Sequence, residues 1–145
     1  MCFLLILIVA GTRSNLPPSL QRYVECDVLQ SFHATLNSSI VDPDVFASHL
    51  IQNKFMSRQT ADNKMPLGFS NYRKVGNLLG IVDSRIKTAG TVSREHVRNR
   101  FNVFLSILSS ALGLQDIADQ MAYQCCMFKL LKILCSYNIN CIECI

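Results

Sequence analysis

Residues 71–90 read NYRKVGNLLGIVDSRIKTAG, and this stretch decides the fold class. Tyr72, Val75, Leu78, Leu79, Val82 and Ile86 recur at three- and four-residue spacing. That is the period of a helix that buries one face. Ser70 stands ahead of the run as an N-cap, and Gly90 closes it as a left-handed terminator. A second pattern lies on the same stretch. Lys74, Ile81 and Arg85 fall on one line along the helix, away from Leu78 and Leu79. Two cations around an aliphatic residue read as a surface that meets an acidic partner.

Working upstream, Val24, Val28, Phe32, Leu36 and Ile40 recur every fourth position with Leu29 beside them, which predicts a first helix. The prolines of NLPPSL bar a helix before it. Asp42 can cap a second helix, Pro43 fits its first turn, and Asp44 complements the positive end of the dipole. Val45, Phe46, Leu50 and Ile51 supply its buried face. Ser57 opens a brief third helix. Downstream, Ser93 opens a fifth with Val97, Phe101, Phe104, Leu105 and Leu108 on one face. A sixth follows around Leu114, Ile117, Ala118 and Met121. No window alternates with period two between turn residues, so no sheet is expected. The reading is all-α: six helices in an antiparallel bundle over residues 24–122. An apolar irregular segment, 1–23, precedes it, and a Cys-rich hydrophobic tail, 123–145, follows.

Composition bounds the function. A chain of 145 residues that is 50% hydrophobic is about one folded domain. Its net charge of +4 is too small to mark a nucleic-acid binder. MCFLLILIVAG lacks the basic start of a secretory leader and is too short to span a bilayer. Cys2 and Cys26 stand apart, while Cys125, Cys126, Cys135, Cys141 and Cys144 crowd the tail. A disulfide scaffold spreads cysteines through the fold, so the central region reads as reduced and the chain as cytoplasmic. Cys141 and Cys144 form a C-x-x-C with no second pair or nearby histidine, so no metal site is read. Lys129 and Lys132 argue against a spanning tail, which reads as packing or disorder. Gln124 and Cys126 echo a catalytic Gln-x-Cys without its glycine, and His33, His49 and His96 lie on separate segments. No catalytic residue and no cofactor is assigned.

The order of these pieces resembles the caspase-recruitment domain of the death-fold superfamily. SSIVDPDVFASHLIQNKFMS matches that family's second helix and the small polar turn after it, here Asn53 to Ser57. Arg73, Lys74, Leu78, Leu79 and Val82 match the fourth helix, and Phe101, Phe104 and Leu105 the fifth. TADNKMPLGF and TAGTVSREH depart from the family's shorter links. The tryptophan of death domains and the Arg-x-Asp-Leu of death-effector domains are missing. The resemblance implies a six-helix antiparallel death-fold bundle that is not an enzyme. It implies an adaptor that docks to other caspase-recruitment domains or to itself, in apoptotic or inflammatory signalling. It implies a basic patch of Arg22, Arg73, Lys74 and Arg85, with Ile81 between the cations, meeting an acidic patch of Asp42, Asp44 and Asp62. The alternatives are a basic nucleic-acid module using Arg94, Arg98 and Arg100, and a small secreted or membrane-tethered protein.

Overall fold

The computed structural model describes residues 23–137, and every regular element among them is helical. These are α1 (Val24–Ser31), α2 (His33–Ser39), α3 (Pro43–Gln52), α4 (Arg58–Lys64), α5 (Asn71–Ala89), α6 (Arg94–Ser106), a π-helical turn (Ile107–Ala111) and α7 (Gln115–Tyr137). The chain is all-α over the described residues, as the spacing of its apolar residues predicts.

Four helix starts form as their side chains dictate. Asp42 accepts from the backbone N–H groups of Asp44 and Val45 at 3.0 and 3.2 Å. Ser57, Ser70 and Ser93 accept from Thr60, Arg73 and His96 at 3.1, 3.2 and 3.2 Å. Each bond satisfies a donor that the first helical turn would otherwise leave open.

α5 is the central element and touches α1, α2, α3, α4 and α6. Its Val75, Leu78, Leu79, Val82 and Ile86 are all fully buried. They meet Val28 and Leu29 of α1, Leu36 of α2, Phe46 and Leu50 of α3, and Phe104 of α6 in one core. Burial of each such side chain stabilises the fold by roughly 1.5–3 kcal/mol. α7 closes the bundle against α1, α6 and the π-helical turn through Ala118, Met121 and Cys125.

Several expectations are corrected. The first helix breaks at Phe32, whose backbone sits at φ −95° and ψ 2°. Ser31 Oγ donates to the Asp27 carbonyl at 2.9 Å, a back-bond that bends helices. Tyr72 and Val45 lie in the first turns of α5 and α3, at the rim of the core, and stay 60% and 41% exposed. The fifth helix widens into the π-helical turn, where the Ser109 and Ser110 hydroxyls donate to the Ser106 carbonyl at 3.2 and 2.6 Å. The boundary expected after residue 122 falls inside α7, which runs on to Tyr137 and buries Cys125 and Ile133.

Gly90 is not a left-handed terminator. Its φ is −64°, an ordinary right-handed value. A glycine is needed for a different reason: a Cβ there would fall on the buried Tyr23 ring, 2.7 Å from Cε2 and closer still to Cζ and Oη. Gly90→Ala is therefore expected to cost about 1–3 kcal/mol through overpacking, although alanine is the better helix former. Urea denaturation of Gly90→Ala alone and with Tyr23→Leu checks this; a contact origin requires that the second change remove part of the cost.

Candidate functional site

The chemistry-bearing residues gather around the end of α3. There the chain leaves the helix through Asn53, Lys54 and Phe55. The Phe55 N–H returns to the Leu50 carbonyl at 2.9 Å, and the Lys54 N–H to Ile51 at 3.1 Å. This paired closure is the Schellman pattern, and Lys54 takes the left-handed position at φ 62° that glycine usually fills. Phe55 then turns fully into the core.

Two arginines from distant helices hold that turn. Arg85 Nε of α5 donates to the Phe55 carbonyl at 2.8 Å, and Arg100 Nη2 of α6 to the Asn53 carbonyl at 2.9 Å. The Arg100 guanidinium also lies 4.0 Å from the centroid of the Phe55 ring. Burial, and then the charge of Arg85, hold Arg100 below the usual arginine range. A cleft of about 280 Å³ flanks the same turn, lined by His49, Asn53, Val103, Ser106, Ile107 and Ser110.

The line Lys74–Ile81–Arg85 is only partly the free face that the sequence suggests. Ile81 is half-buried and packs against the core. Arg85 is exposed but engaged on Phe55, and Asn77, on the same side of α5, donates to the Lys64 carbonyl at 2.9 Å. This side of α5 therefore holds α4 and the turn before it. Lys74 is half-buried, while Arg73 is exposed with its guanidinium 3.8 Å over the Phe69 ring. Arg22 lies outside the described residues. Of the acidic residues, Asp44 and Asp62 are exposed on α3 and α4, and Asp42 is exposed but occupied in capping.

Arg94, Arg98 and Arg100 do not form one basic face. Arg100 is turned onto the α3 end, Arg98 is half-buried, and Arg94 is exposed at the start of α6. Sequence spacing missed the Arg85–Arg100 pairing, because the contacts span 30 and 47 residues.

The described part of the tail is the second half of α7. Lys129 Nζ meets Glu25 Oε1 of α1 at 2.7 Å, and Tyr123, Leu131 and Leu134 are 66%, 50% and 62% exposed along the outside. No helix among the described residues is long and apolar enough to cross a membrane. Among them, no group of three or more His, Cys, Asp or Glu side chains gathers as a metal site would require. The C-x-x-C of Cys141 and Cys144 lies outside them.

Cys26, Cys125 and Cys126 are free thiols, and Cys135 is disulfide-bonded. Burial, helped by the Asp83 charge, pushes the Cys26 thiol from 9.0 up to about 12. Burial likewise pushes Cys125 to about 11, against the pull of Lys129. Thiolate is the reactive form, so both are expected to resist alkylation at pH 8 in the native state, while the exposed Cys126 labels. The sign for stability follows. Below pH 9.0 both states hold these protons and the contribution is complete. Above it the unfolded thiols ionise first, so stability declines as pH rises toward 11 and 12. Mass-resolved labelling with and without urea, and urea midpoints from pH 8 to 10.5, check both statements.

Comparisons with protein-family models, with curated proteins and with solved structures find no match to this chain.

Proposed function

We propose that this chain is a non-enzymatic docking module of the death-fold, caspase-recruitment type. It binds like domains or a second copy of itself as an adaptor in apoptotic or inflammatory signalling in the cytoplasm. The observation that carries the reading is the display of opposite charge on separate elements of one helical bundle. Asp44 and Asp62 stand exposed on α3 and α4, while Arg73 stands exposed and Lys74 half-exposed at the start of α5. Opposed patches of this kind raise encounter rates and fix register more than they add affinity. The sequence resemblance over residues 24–122 supports the same reading.

The test spares the two patch residues whose side chains hydrogen-bond the backbone. Asp42 caps α3 and Arg85 holds the α3–α4 turn, so both are left in place. One variant carries Arg73→Glu with Lys74→Glu, the other Asp44→Lys with Asp62→Lys. Sedimentation at low and physiological salt is expected to show association lost in each variant alone and regained on mixing, since each retains the patch the other lacks. Association unchanged in both folded variants would leave these charges as ordinary solvated surface. The nucleic-acid alternative predicts instead a steep salt dependence of duplex DNA binding.

A further inference from the structure

We infer that residues 2–9, CFLLILIV, form a strap along the outer apolar face of α7 in the same chain. The inference stands apart from the docking reading and shares no residue with its charged patches.

The face belongs to the second half of α7. Tyr123, Met127, Leu131 and Leu134 follow one another at spacings of four, four and three, so they share one side of the helix. All four are exposed. Lys129 lies on another side and reaches inward to Glu25. A contiguous apolar patch on a folded chain marks a contact surface.

Ile133 shows that the contact begins within the chain. It is 5% exposed, yet it is not part of the core, which follows α7 from Ala118 through Met121 to Cys125. A buried side chain touches about six or more other residues, more than its own helix supplies. Ile133 is buried in a single chain, so its cover is not a second copy. Lys129, one turn before Ile133, meets Glu25 in the first turn of α1. The chain enters α1 at Tyr23, two residues from Glu25, so residues 1–22 join the bundle beside this part of α7. Ile133 marks where the cover starts, and Leu131 and Leu134 mark the face that the described residues leave open.

Two terminal segments are close enough to supply the cover, and their chemistry separates them. Residues 138–145, NINCIECI, carry Asn138, Asn140 and Glu143, and must reverse direction directly after α7 to reach the face. Residues 2–9 carry no charge, amide or hydroxyl, and match an apolar surface along their whole length. The 13 residues that join them to Tyr23, AGTRSNLPPSLQR, span up to about 40 Å when extended. From Tyr123 to Leu134 the helix rises only about 17 Å, so every register on the face is within reach. The tether also keeps the segment at an effective concentration of about 1 mM, which a micromolar second copy does not match.

The experiment measures methyl–methyl NOEs in the full chain, between Leu4–Ile8 and Leu131, Ile133 and Leu134. The expected contacts persist when labelled chain is diluted with an excess of unlabelled chain. Leu5→Asp with Ile8→Asp should abolish them and speed amide exchange at Leu130–Leu134 about tenfold, the loss of cover from one large side chain. The amide spectrum of α3–α6 shows independently that this variant is folded, and the NOEs of the unaltered chain need no variant at all. Contacts that fade on dilution with unlabelled chain would overturn the strap and assign the face to a second copy. Contacts from Ile139 or Ile142 alone would overturn it in favour of residues 138–145. An α7 that is contacted only when phosphatidylcholine vesicles are added would overturn it in favour of a lipid surface. None of these results alters the charge-reversal test, so the strap and the docking reading fail separately.

Discussion

Lys129→Met is expected to destabilise the fold by about 3 kcal/mol, the low end for breaking a buried ion pair. Glu25 sits on α1 with its side chain 8% exposed, and its Oε1 lies 2.7 Å from Lys129 Nζ. Removing the ammonium leaves a carboxylate sealed between α1 and α7 with its charge uncompensated. The low end applies because the Lys129 side chain is 27% exposed and water reaches its side of the pair. The asymmetry is diagnostic. Glu25→Leu combined with Lys129→Met removes both charges and should recover most of the loss, since a well-packed apolar pair often matches a buried ionic one. Urea denaturation of the two singles and the double gives the coupling directly. A single-mutant cost below 0.5 kcal/mol, on the order of a surface pair, would mean that solvent already screens the contact. The same pair makes α7 one element past residue 122. Cutting the chain there would strip the partner from Glu25.

This helix also shows where the sequence stops being legible. The starts of α3, α4, α5 and α6 could be read because their cues are local. Asp42, Ser57, Ser70 and Ser93 each announce a cap within three residues of the N–H that donates to it, and the apolar period of α5 needs no distant information. The second half of α7 is apolar on nearly every side, so its period points nowhere. Only the burial of Cys125 and Ile133 and the reach of Lys129 to Glu25 give it an inner face. Gly90 was misread for a related reason. A glycine after a helix normally signals a left-handed cap, but here the need for it is steric, set by Tyr23 at the start of α1. Ile81 and Arg85 were assigned to a free face by a wheel that knows nothing of α4. Long-range packing takes precedence over helical spacing at these positions.

The largest effect is expected from Phe104→Ala, at about 3–5 kcal/mol. Phe104 is among the largest fully buried side chains, and its ring faces the equally buried Phe46 of α3 with centroids 6.3 Å apart and planes tilted by 51°. The cost has two origins. Truncation loses the transfer free energy of a benzyl group, and it opens a cavity that α3, α5 and α6 cannot close without moving their own caps and turns. A further share comes from the tilted ring pair, worth roughly 0.5–1.5 kcal/mol beyond area. Leucine separates these parts. Phe104→Leu fills much of the volume but ends the ring–ring contact, so it should cost well under the alanine value. Combined with Phe46→Leu, it should show a coupling of the size expected for the aromatic pair. Additive single and double costs would assign the whole effect to packing volume. The consequence for the candidate site is testable in the same proteins. Phe46 and Phe104 share one buried core with Phe55, whose carbonyl Arg85 grips, so a cavity there should loosen the Lys54 turn. Faster amide exchange at Phe55 than at the Asp42 cap, in folded Phe104→Ala, is the expected readout. Uniform acceleration across α3 would instead mean that the bundle opens as one unit.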